Sequence, residues 1–81
     1  MIFPNPVINR AKLTFNLQSE SSIIISIYNV LGHKVYHNKY NNLQKGLNNI
    51  DINTTGFSSG IYFYRIDTGK NILTSKSFII R

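Results

Sequence analysis

The chain has 81 residues, a net charge of +6 from nine basic and three acidic side chains, and no cysteine. Disulfide staples and thiolate zinc sites are therefore excluded, and three carboxylates leave little material for paired acid/base catalysis. No apolar run approaches the ~18 residues of a membrane-spanning helix. The length suits one domain, residues 1–81, that buries roughly 60–65% of its unfolded surface.

In chain order, Met1 to Pro6 lacks the charged and apolar regions of a signal peptide. Any export signal is expected on a longer precursor. The two prolines, Pro4 and Pro6, are placed before the first strand. Lys12 to Leu17 alternates, with Leu13, Phe15 and Leu17 on one face, as a half-buried strand does. A polar turn over 18–22 leads to the strongest strand signal, Ile23 to Val30, rich in β-branched residues. Asn29 to Gly32 reads as a tight turn, with Gly32 at the corner.

Lys34 to Tyr40 is a strand in which both Val35 and Tyr36 qualify for the core, so its register stays open. A loop ending in Gly46 precedes the strand Leu47 to Ile52. A turn-rich connection over 53–60 follows. Ile61 to Ile66 is apolar on both faces, as a central strand is. Asp67 to Asn71 is a hairpin turn, and a last strand runs from Ile72 to Arg81 in an open register. Six strand signals at spacings near ten residues predict an all-β antiparallel sandwich.

Chemistry is sparse. His33 and His37 fall in a turn and a strand, where positions four apart lie about 13 Å from each other, too far to share one ion. The glycines occupy turns and form no phosphate loop. The basic residues are scattered and never adjacent, which is not the stripe of a nucleic-acid domain. No cofactor, metal or nucleic acid is expected, and the chain does not read as an enzyme. Aromatic residues are assigned to the core and to cross-strand pairs, although Ile61 and Phe63 need a second layer, a neighbouring domain or a partner to cover them.

Several landmarks, in order, resemble one family. An aromatic followed by Pro-Asn-Pro stands at Phe3-Pro4-Asn5-Pro6. Ile25 to Gly32 is followed by a basic residue and a valine, Lys34 and Val35. Lys45-Gly46-Leu47-Asn48 precedes a strand. Ser59-Gly60-Ile61-Tyr62 opens another, and Lys76-Ser77-Phe78-Ile79-Ile80-Arg81 closes the chain. The set, spanning residues 3–81, is similar to the type A C-terminal sorting domains of the type IX secretion system.

That resemblance implies a small immunoglobulin-like β-sandwich of about seven strands, carried behind a larger cargo in a bacterium of the Bacteroidetes. It implies export through the periplasm, recognition by an outer-membrane translocon, and for many cargos removal by a surface sortase. The destination is the cell surface or the medium. Gly60, Tyr62, Lys76, Ile80 and Arg81 are the expected recognition residues; Pro4, Asn5, Pro6, Gly32 and Gly46 are the remaining motif positions. Gly60 and Tyr62 also suit plain structural roles, as a turn former and a core ring, and Lys76 and Arg81 suit ordinary solvation. Edge strands are available for a partner or a second copy to extend. Deletion of Phe78 to Arg81 is expected to block export and leave the upstream strands folded. Two other classes fit the same composition: a sugar-stacking accessory module of fibronectin-like fold, and a structural spacer.

Overall fold

The computed structural model describes residues 2–69 and 72–81; of residues 3–8 and 73–75 it describes the backbone alone. Seven strands follow one another: β1 (Ile2–Ile8), β2 (Arg10–Leu17), β3 (Ser21–Asn29), β4 (Lys34–Leu43), β5 (Gly46–Asn53), β6 (Gly60–Asp67) and β7 (Ile72–Ile80). They form a smaller sheet, β1-β2-β5, and a larger one, β4-β3-β6-β7-β1. Strands two and five pair on one sheet; three, six and seven share the other, with the fourth beside the third. That is the immunoglobulin-like arrangement of B and E against C, F and G.

The sandwich has one strand more than the six that the residue pattern alone indicates. The additional strand is β1, and both prolines lie inside it rather than ahead of the first strand. Its start pairs antiparallel with β2 (Ile2 opposite Leu13, Phe3 opposite Lys12). Its end crosses to the other sheet, where Val7 pairs with Ile80 in a parallel bridge. Pro4-Asn5-Pro6 occupies the crossing. Proline has no N–H to give to a ladder, so it is tolerated where a strand leaves one sheet for another.

The core lies between the sheets. From the smaller sheet come the alternate residues Ala11, Leu13, Phe15 and Leu17 of β2 and Ile52 of β5; from the larger come Ile23, Ile25 and Ile27 of β3. Tyr62, Tyr64 and Ile66 of β6 face them, with Phe78 and Ile80 of β7. Alternation in β2, β3 and β6 drives this, because a period of two sends every second side chain inward.

The register of β4 is decided by its partner. Ile23, Ile25 and Ile27 stand opposite Tyr40, Asn38 and Tyr36, and the register shifts before Lys34. Tyr36 therefore faces the core, and Val35 is exposed. The Tyr36 and Tyr40 hydroxyls share a hydrogen bond of 2.7 Å. Burial, and then that bond, push the Tyr40 phenol up to about 12. The raised value means that the fold favours the neutral ring. This contribution is complete below the free tyrosine value of about 10 and is lost as pH climbs from there through about 12. Alkaline melts should thus show the wild type losing more stability over that window than Tyr40→Phe; parallel losses would show that the phenol is not linked to folding.

The turn after β3 is built by Asn29. Its Oδ1 accepts from the N–H groups of Leu31 (3.0 Å) and His33 (2.9 Å), and its backbone carbonyl accepts from Gly32 N–H (2.9 Å). Gly32 has φ +85°, a left-handed conformation that a Cβ would strain. The hairpin after β6 closes similarly, with Asp67 Oδ1 accepting from Gly69 N–H at 2.7 Å.

The β6–β7 ladder as a candidate recognition surface

Four of the five expected recognition residues sit on one antiparallel ladder. Gly60 stands opposite Ile80, Tyr62 opposite Phe78, and Tyr64 opposite Lys76. Arg81 follows directly, exposed, at the end of β7. The chain pattern places these residues far apart in sequence, and the β6–β7 pairing brings them together.

Burial then divides them. Tyr62 is 5% exposed and Ile80 2% exposed, so neither offers a surface to a partner. The Tyr62 ring stacks on Phe57 (centroids 5.6 Å apart) and lies 6.0 Å from Phe78. Its hydroxyl donates to the Ser58 carbonyl at 2.6 Å. A tyrosine at the start of the sixth strand that bonds back to the preceding loop is the tyrosine corner of immunoglobulin-like sandwiches. Tyr62→Phe keeps the ring contacts and removes that bond from a part-buried carbonyl. It should cost about 1–2 kcal/mol in urea unfolding, and an unchanged midpoint would remove the corner from the account.

Gly60 opens β6 with φ +154°, and a Cβ there would meet nothing within 4 Å. Backbone conformation, rather than lack of space, accounts for glycine at this position. Lys76 shares the inward side of the ladder with Tyr64 yet is exposed, so it stands at the rim of the core. Lys76 and Arg81 are thus the two expected residues whose charges are presented to solvent.

The remaining motif positions lie apart from this ladder. Gly32 is in the β3–β4 turn, at the same end of the sandwich as Gly60 and Arg81. Gly46 opens β5 opposite Leu17, at the other end. Pro4, Asn5 and Pro6 are on the β1 backbone, and their side chains lie outside what is described. A shallow groove lined by Asn29, Leu31, Ser59, Gly60 and Tyr62 runs between the β3–β4 turn and the loop before β6. The turn residues Val30 and Leu31 project beside it, both largely exposed.

Truncation cannot separate recognition from folding. Residues 78–81 include Phe78 and Ile80, both fully within the core, and the Phe78 ring meets Tyr64 edge-on at 5.9 Å. The expectation that the upstream strands stay folded without them is at odds with the packing: the deletion takes two core side chains from β7, which lies between β6 and β1.

Sequence reasoning placed Ile61 and Phe63 on a face in need of cover. It did not find Ile79, because the register of β7 was open. Ile79 stands opposite Ile61, and the three side chains are 44–50% exposed for the isoleucines and 42% for Phe63. Tyr36, Tyr40, Phe57, Tyr62 and Tyr64 pack at the core, and among the described side chains Tyr28 and Phe63 are register partners on the outer face of β3 and β6. Among the described residues, no group of three or more potential metal ligands converges.

The family model for secretion system C-terminal sorting domains matches residues 1–81. No curated protein matches the sequence.

Proposed function

Because the chain belongs to the family of secretion system C-terminal sorting domains of the type IX pathway, we propose that it is a label whose β6–β7 ladder is read by an outer-membrane translocon. The family carries the coarser statements: such a domain is fused behind a cargo, engages the type IX machinery and is destined for the cell surface or beyond. In our reading the cargo crosses the periplasm with the domain folded. Lys76 and Arg81 make charged contacts with the translocon, while Gly60, Tyr62 and Ile80 hold the ladder in shape. A surface sortase then removes the domain. The outer edges, β4 and β5, are open to strand addition by the machinery or by a second copy.

The match over the whole chain is the observation that supports this reading most. It is joined by a fold with its own buried core, which suits an autonomous tag. The test fuses residues 2–81 behind a periplasm-targeted fluorescent reporter in a bacterium with a working type IX system. A twin strain lacks the translocon. Translocon-dependent surface or medium fluorescence is expected, and retention in both strains, with the domain folded, would overturn the reading. Lys76→Glu with Arg81→Glu should cut export severalfold and leave the melting temperature within a few degrees, since exposed charges contribute little to stability. Unchanged export would move recognition away from these two side chains.

A further inference from the structure

The two outer faces of the sandwich differ in kind. On the smaller sheet, Lys12 stands opposite Asp51 and Thr14 opposite Asn49, with Thr14 Oγ1 hydrogen-bonded to Asn49 Oδ1 at 3.0 Å. Among the described side chains of β2 and β5, and apart from Leu47 at its rim, this is the polar face that a solvated antiparallel sheet presents. The larger sheet breaks that rule. Ile61 and Ile79 pair across β6 and β7, Phe63 follows two residues along β6, and Tyr28 of β3 is its register partner. Ile61 is 50%, Ile79 44% and Phe63 42% exposed. One end of the larger sheet therefore presents apolar side chains to water, while Arg65 and Asp67 follow farther along β6.

Lysines of β4 stand on the same face, with Lys34 nearest the apolar patch. Across the β3–β4 ladder, Tyr28 stands opposite Lys34, Ser26 opposite His37 and Ile24 opposite Lys39, all three basic residues being exposed. Lys34 Nζ lies 5.9 Å from the centre of the Tyr28 ring. The acid on this face, Asp67, is engaged by Arg65 at 3.5 Å. Row by row, Lys34, Tyr28 and Phe63 are neighbours next to the Ile61–Ile79 pair, while Lys39 and Ile24 share a row with Asp67, so the apolar patch lies at one end of the face with Lys34 beside it, on strands ~4.8 Å apart.

We propose that the outer face of β3, β6 and β7 docks a protein of the export machinery that presents an apolar ridge flanked by acidic side chains. This rests on the export reading for the identity of the partner and goes beyond it by assigning a second surface, distinct from Lys76 and Arg81. Charge complementarity selects the occupant. A second copy set face to face would bring two lysine columns together in a chain that already carries +6. A bilayer admits protruding apolar tips, whereas these residues lie on a flat, hydrogen-bonded sheet whose fixed spacing suits a matching protein surface.

The experiment uses the reporter fusion above with Phe63→Glu, Ile79→Glu and, as a control on the polar face, Asn16→Glu. A photoreactive phenylalanine analogue is placed at position 63 or 16. Phe63→Glu and Ile79→Glu are expected to lower export about tenfold or more, as loss of a central interface anchor does, with melting temperatures of the purified domains close to wild type. Asn16→Glu should export normally. Position 63 should cross-link to a subunit of the translocon, identified by mass spectrometry, and position 16 should not. Lys34→Glu with Lys39→Glu should weaken the cross-link. Wild-type-level export of both apolar-face variants would overturn this inference and leave the label reading standing; retention of the wild-type fusion would overturn both. Phe63-dependent sedimentation with phosphatidylethanolamine–phosphatidylglycerol vesicles, or a Phe63-dependent dimer in analytical ultracentrifugation, would each assign the face to another occupant and overturn the proposal.

Discussion

Phe78→Ala is expected to lower the stability of the domain by about 3–5 kcal/mol, read as a fall in the urea midpoint at constant slope. Phe78 is 1% exposed, and its ring lies 6.0 Å from Tyr62 and 5.9 Å from Tyr64. Phe78 lies against both tyrosine rings, so its removal leaves a large void, and the neighbouring strands can relax only partly because β7 is held on both sides. A chain of this length has roughly 4–12 kcal/mol in total at ~0.05–0.15 kcal/mol per residue. The loss is therefore about a quarter of the stability or more. Export of a fused reporter should fall with the folded fraction. A loss under about 1 kcal/mol would show that the core does not close on this ring as described.

Ile80→Ala should cost about 2–4 kcal/mol, since the side chain is 2% exposed and fills the corner where β7 meets Gly60 and Val7. This variant also asks whether Ile80 is read by a partner or holds the ladder. Ile80→Val removes one methylene and should cost only about 0.5–1.5 kcal/mol. If the residue acts through the fold, export of the alanine and valine variants follows their stabilities, and the valine variant exports almost as well as wild type. A valine variant that is stable but not exported would make Ile80 a recognition residue in its own right. Urea unfolding of the purified domains alongside the export assay separates the two.

Much of the fold is legible in the residues. Leu13, Phe15 and Leu17, and Ile23, Ile25 and Ile27, carry the period of two that places them in the core, and both sets are buried. Asp67 and Gly32 announce turns that hydrogen bonds bear out, Asp67 Oδ1 accepting from Gly69 N–H and the Asn29 carbonyl accepting from Gly32 N–H. Where the pattern is uniform it falls silent. Val35-Tyr36 offers two adjacent apolar candidates, and only the pairing of β4 with β3, shifted before Lys34, turns Tyr36 inward. In β1, Pro4 and Pro6 argue against a strand because local rules assume one partner sheet. A strand that changes sheets does not need those N–H groups at the crossing.

The same distinction holds for the candidate surfaces. The amino-acid sequence by itself determined an all-β chain without cysteine, the positions of its turns, and the ordered motifs that mark it as a sorting domain. Those depend on local chemistry: side-chain alternation, glycine conformations and residue identity. The tertiary structure decided which motif residues can meet a partner. Packing enclosed Tyr62 and Ile80 and left Lys76, on the inward side of the ladder but at its rim, and Arg81 open to solvent. It also gathered Ile61, Phe63 and Ile79 into one apolar patch with Tyr28 and Lys34 beside it. Residues of β3, β4, β6 and β7 become neighbours only through backbone pairing between distant strands, and a one-residue change of register would send each side chain to the opposite face.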